Sequence, residues 1–156
     1  VKLDDSDNST GWKFAEYEMK GVPLRLEIGP RDIENNSCVL VSRVTREKTF
    51  VSLDNLQEEV EKALQKVHEE LYNRALENRT NRTYEARTYE EFLDVAENKP
   101  GFIKAMWCGD RECEDALKEQ AGVSSRCIPF VQEKIGGTCV CCGKPADKML
   151  YWGKAY

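Results

Sequence analysis

The sequence predicts an α/β fold in which two units are joined by a long helix. The runs "VPLRLEIG", "SCVLVSRV" and "EKTFVSL" are alternating or β-branched, which predicts three strands early in the chain. Apolar residues recur at helical spacing from Val60 to Leu76, with acids on the opposite face. This pattern predicts a long helix capped by Asp54. The polar stretch "NRTNRTYEA" follows, and we place a domain boundary there, giving domains 1–83 and 84–156.

Capping and turn residues predict the remaining elements. Ser9 or Thr10 can cap a short helix that ends at Gly21. Thr88 can cap a helix over "TYEEFLDVAEN", and a helix over "ECEDALKEQAG" should end at Gly122. Further strands are predicted for "GFIKAMW", "RCIPF" and "KMLYWGKAY". The second unit is therefore also expected to mix helices and strands.

The composition limits which kinds of molecule the chain is expected to bind. The chain has 156 residues, a formal net charge of −5, 33% charged and 40% apolar residues. This charge argues against a protein that coats nucleic acid nonspecifically, because such binding depends on phosphate neutralisation. Residues 11–50 hold seven Lys/Arg against six acids, whereas residues 54–98 hold twelve acids against six bases. A polyanionic partner is therefore expected at the first segment.

The sequence supports neither a membrane protein nor a secreted one. No apolar run approaches the roughly 20 residues needed to cross a bilayer, and no basic-then-apolar leader opens the chain. The chain begins at Val1 without a methionine, which we interpret as the sign of a fragment. We therefore expect a cytoplasmic location, and we interpret the Asn-x-Ser/Thr tripeptides as coincidental.

Four of the seven cysteines form two pairs with metal-ligand spacing. Cys108 and Cys113 form a C-x4-C pair, and after 25 intervening residues Cys139 and Cys142 form a C-x2-C pair. Each pair follows a predicted strand end, where a tight turn can present two sulfurs to one metal ion. Two such pairs complete the tetrahedral, all-sulfur shell that is typical of structural zinc. The sequence therefore predicts a zinc site with these four ligands.

Two other interpretations of the thiols fit the sequence less well than zinc does. A disulfide framework requires an oxidising compartment, which nothing in the sequence supports. A thioredoxin-like pair would lie at the head of a helix, whereas "GKP" and a strand follow Cys142. A C-x-C bite that uses Cys141 instead of Cys142 stays open, although we favour Cys142 because Gly143 allows a tight turn. Cys38 and Cys127 are predicted to be core thiols.

Longer segments resemble a known family. The segment "GWKFAEYEMKGVPLRLEIGPRDIE", the four paired cysteines and the ending "CGKPADKMLYWGKAY" together resemble prolyl-tRNA synthetase. The resemblance is to the archaeal/eukaryotic-like type, which also occurs in some bacteria, and it covers essentially the whole chain. It implies a partial anticodon-binding α/β domain joined by the long helix to a small α/β zinc-binding domain. It also implies the same four zinc ligands.

The resemblance further implies which residues contact RNA. In that family the anticodon guanines are read by charged side chains around the segment "GVPLRLEIGPRD", and the matching positions here are Glu18, Arg25, Arg31 and Lys48. A carboxylate can accept hydrogen bonds from the Watson–Crick edge of guanine. Arginine can pair with guanine O6 and N7 or hold a phosphate. Unpaired anticodon bases can be splayed out for such recognition.

For the whole enzyme, the resemblance implies a class II proline–tRNA ligase that uses ATP and magnesium. It implies a homodimer with a catalytic domain upstream, towards which the terminal Tyr156 is expected to reach. The chain itself matches no class II motif, so we expect it to be inactive alone and to recognise the anticodon stem-loop of tRNA(Pro). Two other functions stay open. One is a zinc-stapled interaction module without RNA selectivity, and the other is a thiol oxidoreductase that uses Cys139, Cys141 and Cys142.

Overall fold

The computed structural model describes residues 1–154, so the expectation for Tyr156 lies outside the described residues. The chain divides into two compact units, Val1–Ala75 and Leu76–Tyr156, and the division falls within one long helix. Two separate sheets, each accompanied by helices, confirm the predicted α/β class. The domain boundary at residue 83 stays a prediction. Within residues 1–154, no helix is both long and apolar enough to span a lipid bilayer.

The first unit contains a three-stranded antiparallel sheet with the order β1-β2-β3. In chain order its elements are α1 (Thr10–Met19), β1 (Leu24–Glu27), α2 (Pro30–Glu34), β2 (Ser37–Ser42), β3 (Lys48–Ser52) and the beginning of α3 (Leu56–Asn81). The Ser9 side chain accepts a hydrogen bond from the backbone N–H of Trp12 and so caps α1, as predicted.

The sheet of the first unit has two chemically different faces. One face forms a core with the start of α3, and its members are Cys38, Leu40, Val51, Leu53, Leu56, Val60 and Ala63. Because successive strand residues point to opposite faces, Arg25 and Glu27 lie on the other face. There they pair in register with Val41 and Val39, and Lys48 also pairs with Val41. This second face therefore carries charged side chains on the two outer strands and buried valines on the central strand.

The second unit is a four-stranded sheet with the order β4-β5-β7-β6. After the end of α3, its elements are β4 (Thr83–Glu85), α4 (Tyr89–Asn98), β5 (Phe102–Trp107), α5 (Arg111–Ala121), β6 (Val123–Cys127) and β7 (Lys148–Lys154). Strand β4 runs parallel to β5, and the other pairs are antiparallel. Phe92 of α4 packs edge-to-face on Trp152 of β7, with 5.8 Å between ring centroids. Both side chains are fully buried, so they mark the core.

Some element predictions were wrong. Ser52 caps a 3-10 turn over Leu53–Asn55, and α3 begins only after it, so Asp54 is not the helix cap. The sixth strand ends at Cys127, whereas the prediction extended it to residue 130. The short elements α2 and β4 were not predicted from the sequence.

Candidate metal centre and RNA interface

Four cysteines of the second unit meet beside the end of β5. Cys108 directly follows that strand, and Cys113 lies in the first turn of α5. Cys139 and Cys142 lie in a turn that a bridge between Thr138 and Pro145 closes. The expectation that both pairs follow strand ends therefore needs correction. The first pair joins a strand end to a helix start, and the second lies within an irregular loop.

The geometry of the four sulfurs fits a zinc ion. All four Sγ atoms lie within 4.8 Å of one another. The Sγ atom of Cys108 is 3.7 Å from that of Cys113 and 3.8 Å from that of Cys142. A tetrahedron with Zn–S bonds of about 2.3 Å has sulfur–sulfur edges of about 3.8 Å. Two of the six sulfur–sulfur separations therefore match this edge, and the others are no longer than 4.8 Å, so the four side chains are close to the spacing of a closed tetrahedral site.

The backbone of the second knuckle holds its sulfurs in place. The N–H of Gly143 donates to the carbonyl of Cys139 at 2.9 Å, and the N–H of Cys139 donates to the carbonyl of Lys144 at 2.8 Å. Gly143 has a φ of 70°, a left-handed conformation that suits glycine. Val140 is buried and donates its N–H to the carbonyl of Met106 on β5 at 2.9 Å. The knuckle is thereby fixed to the core of the second unit.

The same backbone favours a thiolate at Cys139. Burial raises the pKa of this thiol, but backbone hydrogen bonds from Cys142, Cys141 and Cys108 outweigh burial and lower the pKa to about 7. Burial raises the pKa of Cys108 and Cys113. A divalent cation would favour deprotonation of all four thiols, because metal ligation requires the thiolate.

The three remaining cysteines lie outside the cluster. Cys141 is half-buried and packs against the core of the second unit. Cys38 is fully buried, as predicted. Cys127 is exposed, so its prediction as a core thiol was wrong. It follows the irregular pairing between β6 and β7, which a single-sequence reading does not reveal.

In the first unit, three of the four predicted RNA contacts belong to one charged network. The guanidinium of Arg25 donates to Glu18 Oε1 at 3.0 Å and to Glu27 Oε1 at 2.9 Å. Lys48 Nζ pairs with Glu27 Oε2 at 3.1 Å, and Arg46 lies 3.7 Å from the second oxygen of Glu18. We call Glu18, Arg25, Glu27 and Lys48 the charged network.

An aromatic ring orients the central arginine of the network. The guanidinium carbon of Arg25 lies 3.5 Å from the centroid of the Phe14 ring, a stacked cation–π contact. Sequence reasoning missed Phe14 and Glu27. The i, i+2 spacing of Arg25 and Glu27 on one strand could have indicated that both share a face. Arg31 lies on α2 and is exposed, outside the network.

The network affects the ionisation of Glu27. Burial raises the pKa of this carboxyl, but hydrogen bonds from Lys48 and Arg25 outweigh burial and hold the pKa below its usual value. Glu27 therefore stays ionised near neutral pH and balances two cations. The face presents both hydrogen-bond acceptors and hydrogen-bond donors, in fixed positions, to a ligand.

Comparison with known proteins finds a family match in each of the two units. Residues 1–63 match the family described as "Anticodon binding domain", and residues 89–156 match "Prolyl-tRNA synthetase, C-terminal". A proline–tRNA ligase of Clostridium botulinum (strain Loch Maree / Type A3) is 59% identical over 156 residues. The proline–tRNA ligases of Lachnoclostridium phytofermentans and Clostridium novyi (strain NT) are 59% and 60% identical. Each alignment covers 100% of this chain and 33% of the relative.

By these two matches, the chain is similar to the anticodon-binding and C-terminal regions of an aminoacyl-tRNA synthetase. It corresponds to the C-terminal region of the prolyl-tRNA synthetase family, including the anticodon-binding domain. The chain spans about a third of the length of the curated relatives that it matches.

Proposed function

We propose that the chain recognises the anticodon of tRNA(Pro) for a proline–tRNA ligase, and that the charged network of the first unit makes this contact. The observation that carries the proposal is a continuous series of contacts on the sheet face opposite α3, from Glu18 to Arg25, from Arg25 to Glu27 and from Glu27 to Lys48. A zinc-stapled interaction module without RNA selectivity is not favoured, because residues 1–63 match an anticodon-binding domain.

The charged network can replace one of its internal ion pairs with contacts to a ligand. The pair of Glu18 and Arg25 is only partly buried, with side-chain exposures of 31% and 22%. Water can therefore solvate both groups when the bond opens, and the cost lies well below the roughly 3–5 kcal/mol of breaking a buried ion pair. Glu18 can then accept from the Watson–Crick N–H groups of guanine, while Arg25 donates to a base edge or a phosphate. A base with the wrong pattern of donors and acceptors leaves these charges unpaired. Selectivity follows because unpaired polar groups are costly once water is displaced.

Two features keep Arg25 in position during this exchange. The Phe14 ring supports the plane of the guanidinium, and Glu27 still accepts from Nε. Arg31 and Lys48 are exposed cations, and we assign them to the RNA backbone or neighbouring bases. This division agrees with the resemblance of the segment to the family's anticodon-reading residues.

In the second unit, we propose structural zinc on Cys108, Cys113, Cys139 and Cys142. The support is the all-thiol donor set and sulfur separations that match a tetrahedral site. Four protein ligands leave no open position for a substrate, so such an ion would stabilise the fold and would not take part in catalysis. It would join the end of β5, the start of α5 and the loop before β7.

The remaining parts of the proposal concern the whole protein. We propose a homodimeric, cytoplasmic ligase of the archaeal/eukaryotic-like type, whose class II catalytic domain lies upstream and uses ATP and magnesium. The support is the resemblance of the sequence to that type and its identity to proteins named proline–tRNA ligase. The ligase activity itself is assigned to that upstream domain.

The test is a pair of arginine variants with matched charge. Binding of the chain to fluorescein-labelled anticodon stem-loops is measured by anisotropy, with the proline anticodon and with its guanines replaced by adenines. Arg25→Ala should reduce the discrimination between these RNAs by about 1–3 kcal/mol if Arg25 reads a base edge. Arg46→Ala is the control, since this arginine also contacts Glu18 but its side chain is 80% exposed. Equal effects of the two variants on discrimination would contradict the assignment.

A further inference from the structure

The second unit has a sheet face that the metal centre does not use. Ile103 and Trp152 pair in register and point into the core beneath the helices. Because side chains alternate along a strand, Phe102, Lys104 and Tyr151 point to the opposite face. Lys104 and Tyr151 are partners in the register of β5 and β7, the two central strands. A row of aromatic and basic side chains therefore crosses the middle of this face.

A groove of about 660 Å³ lies over this row. The Phe102 and Tyr151 rings meet edge-to-face with centroids 6.4 Å apart, and Phe102 is 39% exposed. The ammonium group of Lys104 lies 6.0 Å from the Tyr151 centroid and pairs with Glu133 at 2.6 Å. The volume lies in the range of about 300–1,000 Å³ that small-ligand sites occupy, so the groove can hold an aromatic base.

The charges of the groove differ in sign from those of the whole chain. Three cations line it, namely Arg79, Lys104 and Arg126, against one acid, Glu85, whereas the chain carries a net charge of −5. Because Lys104 pairs with Glu133, the positive excess comes from the two arginines. Among residues 1–154, neither Arg79 nor Arg126 belongs to a salt bridge, and Arg126 donates to the carbonyl of Gly153 at 3.0 Å. A polyanion complements this local excess of positive charge.

We propose that this groove binds a single-stranded segment of RNA. A base stacks on the exposed Phe102 ring, with the nearly perpendicular Tyr151 ring beside it, and the phosphates on either side pair with Arg79 and Arg126. Proteins that bind single strands combine these two elements, aromatic platforms for bases and a basic groove for the backbone. RNA-recognition modules likewise place aromatic residues on the exposed face of a four-stranded sheet. The site is additional to anticodon recognition, which we assign to the first unit.

The first test measures binding of the chain to a fluorescein-labelled oligouridylate of about ten nucleotides, which carries no proline anticodon. Wild type should bind, with an affinity that falls as salt rises. Arg79→Glu and Arg126→Glu should each weaken binding by about fivefold or more, and Phe102→Leu should do the same through lost stacking. Lys118→Glu is the control, since Lys118 is an exposed cation on α5 that does not line the groove. It should change binding by less than about twofold.

The second test uses Cys127, an exposed thiol that lines the groove. Its alkylation by a maleimide is followed by peptide mass spectrometry in zinc-loaded protein. Saturating oligouridylate should slow the reaction by about fivefold or more, because bound RNA covers the groove. An unchanged rate at saturation would overturn the proposal, even if one of the groove variants failed to fold.

Two further results separate this site from anticodon recognition. Arg25→Ala should leave oligouridylate binding unchanged, and Arg126→Glu should leave selectivity for the proline anticodon stem-loop unchanged. Failure of wild type to bind oligouridylate at about 0.15 M salt would overturn the groove proposal alone. So would a loss of oligouridylate binding in Lys118→Glu as large as that in Arg126→Glu.

Discussion

Replacing Cys142 with serine tests the metal centre most sharply, because Cys142 is an exposed side chain. An exposed substitution without a special role usually changes stability by less than about 0.5 kcal/mol. As a zinc ligand, Cys142 should behave very differently. Its Sγ atom lies 3.8 Å from that of Cys108, at the separation expected between two ligands of one zinc ion. The matched control is Cys141→Ser, one residue away.

The magnitude follows from the free energy of zinc binding. Structural zinc contributes about 10–16 kcal/mol in small domains, so each of four sulfurs accounts for roughly 3 kcal/mol. For a unit of this size, 3 kcal/mol corresponds to a fall in Tm of more than about 12 °C. Cys141→Ser should cost about 1 kcal/mol, because its half-buried sulfur packs on the core and a hydroxyl would not.

The assay combines metal analysis with thermal unfolding. Wild type and Cys141→Ser, purified without added zinc, should each hold close to one equivalent. Cys142→Ser should lose most of its zinc to a chelator and show the large fall in Tm. Loss of zinc in Cys141→Ser with retention in Cys142→Ser would refute the assignment and indicate the C-x-C bite. Fully folded wild type without any metal would refute the zinc site altogether.

Two further predictions concern pH and backbone geometry. The charged network holds the pKa of Glu27 below its usual 4.5. The ionised carboxylate therefore stabilises the folded first unit above that pH, and this stabilisation is lost as pH falls through the lowered value. Glu27→Gln should therefore flatten the pH dependence of Tm in the acid range, and unaltered pH dependence would contradict this. Gly101→Ala should destabilise the second unit by roughly 2 kcal/mol or more, since its Cβ would lie 2.0 Å from the carbonyl oxygen of Arg82. Gly137→Ala meets nothing within 4 Å and should unfold like wild type.

Local signals allowed most of the fold to be predicted from the sequence. The Thr88 cap and its reciprocal bond with Glu91 define the start of α4, and α5 ends directly before Gly122. These features depend on neighbouring residues only. Strand β4 has three residues, and its parallel pairing with β5 supplies its hydrogen bonds, so no local pattern indicates it. The five-residue α2 does have local signals, since Pro30 lies at its start and Asp32 accepts a hydrogen bond from the N–H of Gly29. A Gly-Pro pair is equally typical of a turn, so the sequence did not distinguish the two.

The two candidate sites differ in how far sequence could define them. Cysteine spacing identified the cluster, because each ligand pair is close in sequence and thiol pairs at such spacing are chemically distinctive. The charged network could be indicated only in part. Glu27 belongs to the network because it pairs with Lys48, which lies 21 residues away on another strand. Phe14 contributes because its ring stacks on Arg25. Such contacts depend on strand register, which a single sequence does not fix.

Selective binding of the proline anticodon is the central claim, and one comparison tests it directly. The zinc-loaded chain is titrated with two labelled stem-loops of identical stem, one with the proline anticodon and one with its guanines replaced by adenines. If the charged network reads guanine, the proline stem-loop should bind at least about fivefold more tightly, which corresponds to about 1 kcal/mol for one base edge. Equal affinities for the two stem-loops, with the same dependence on salt, would contradict anticodon recognition by this chain.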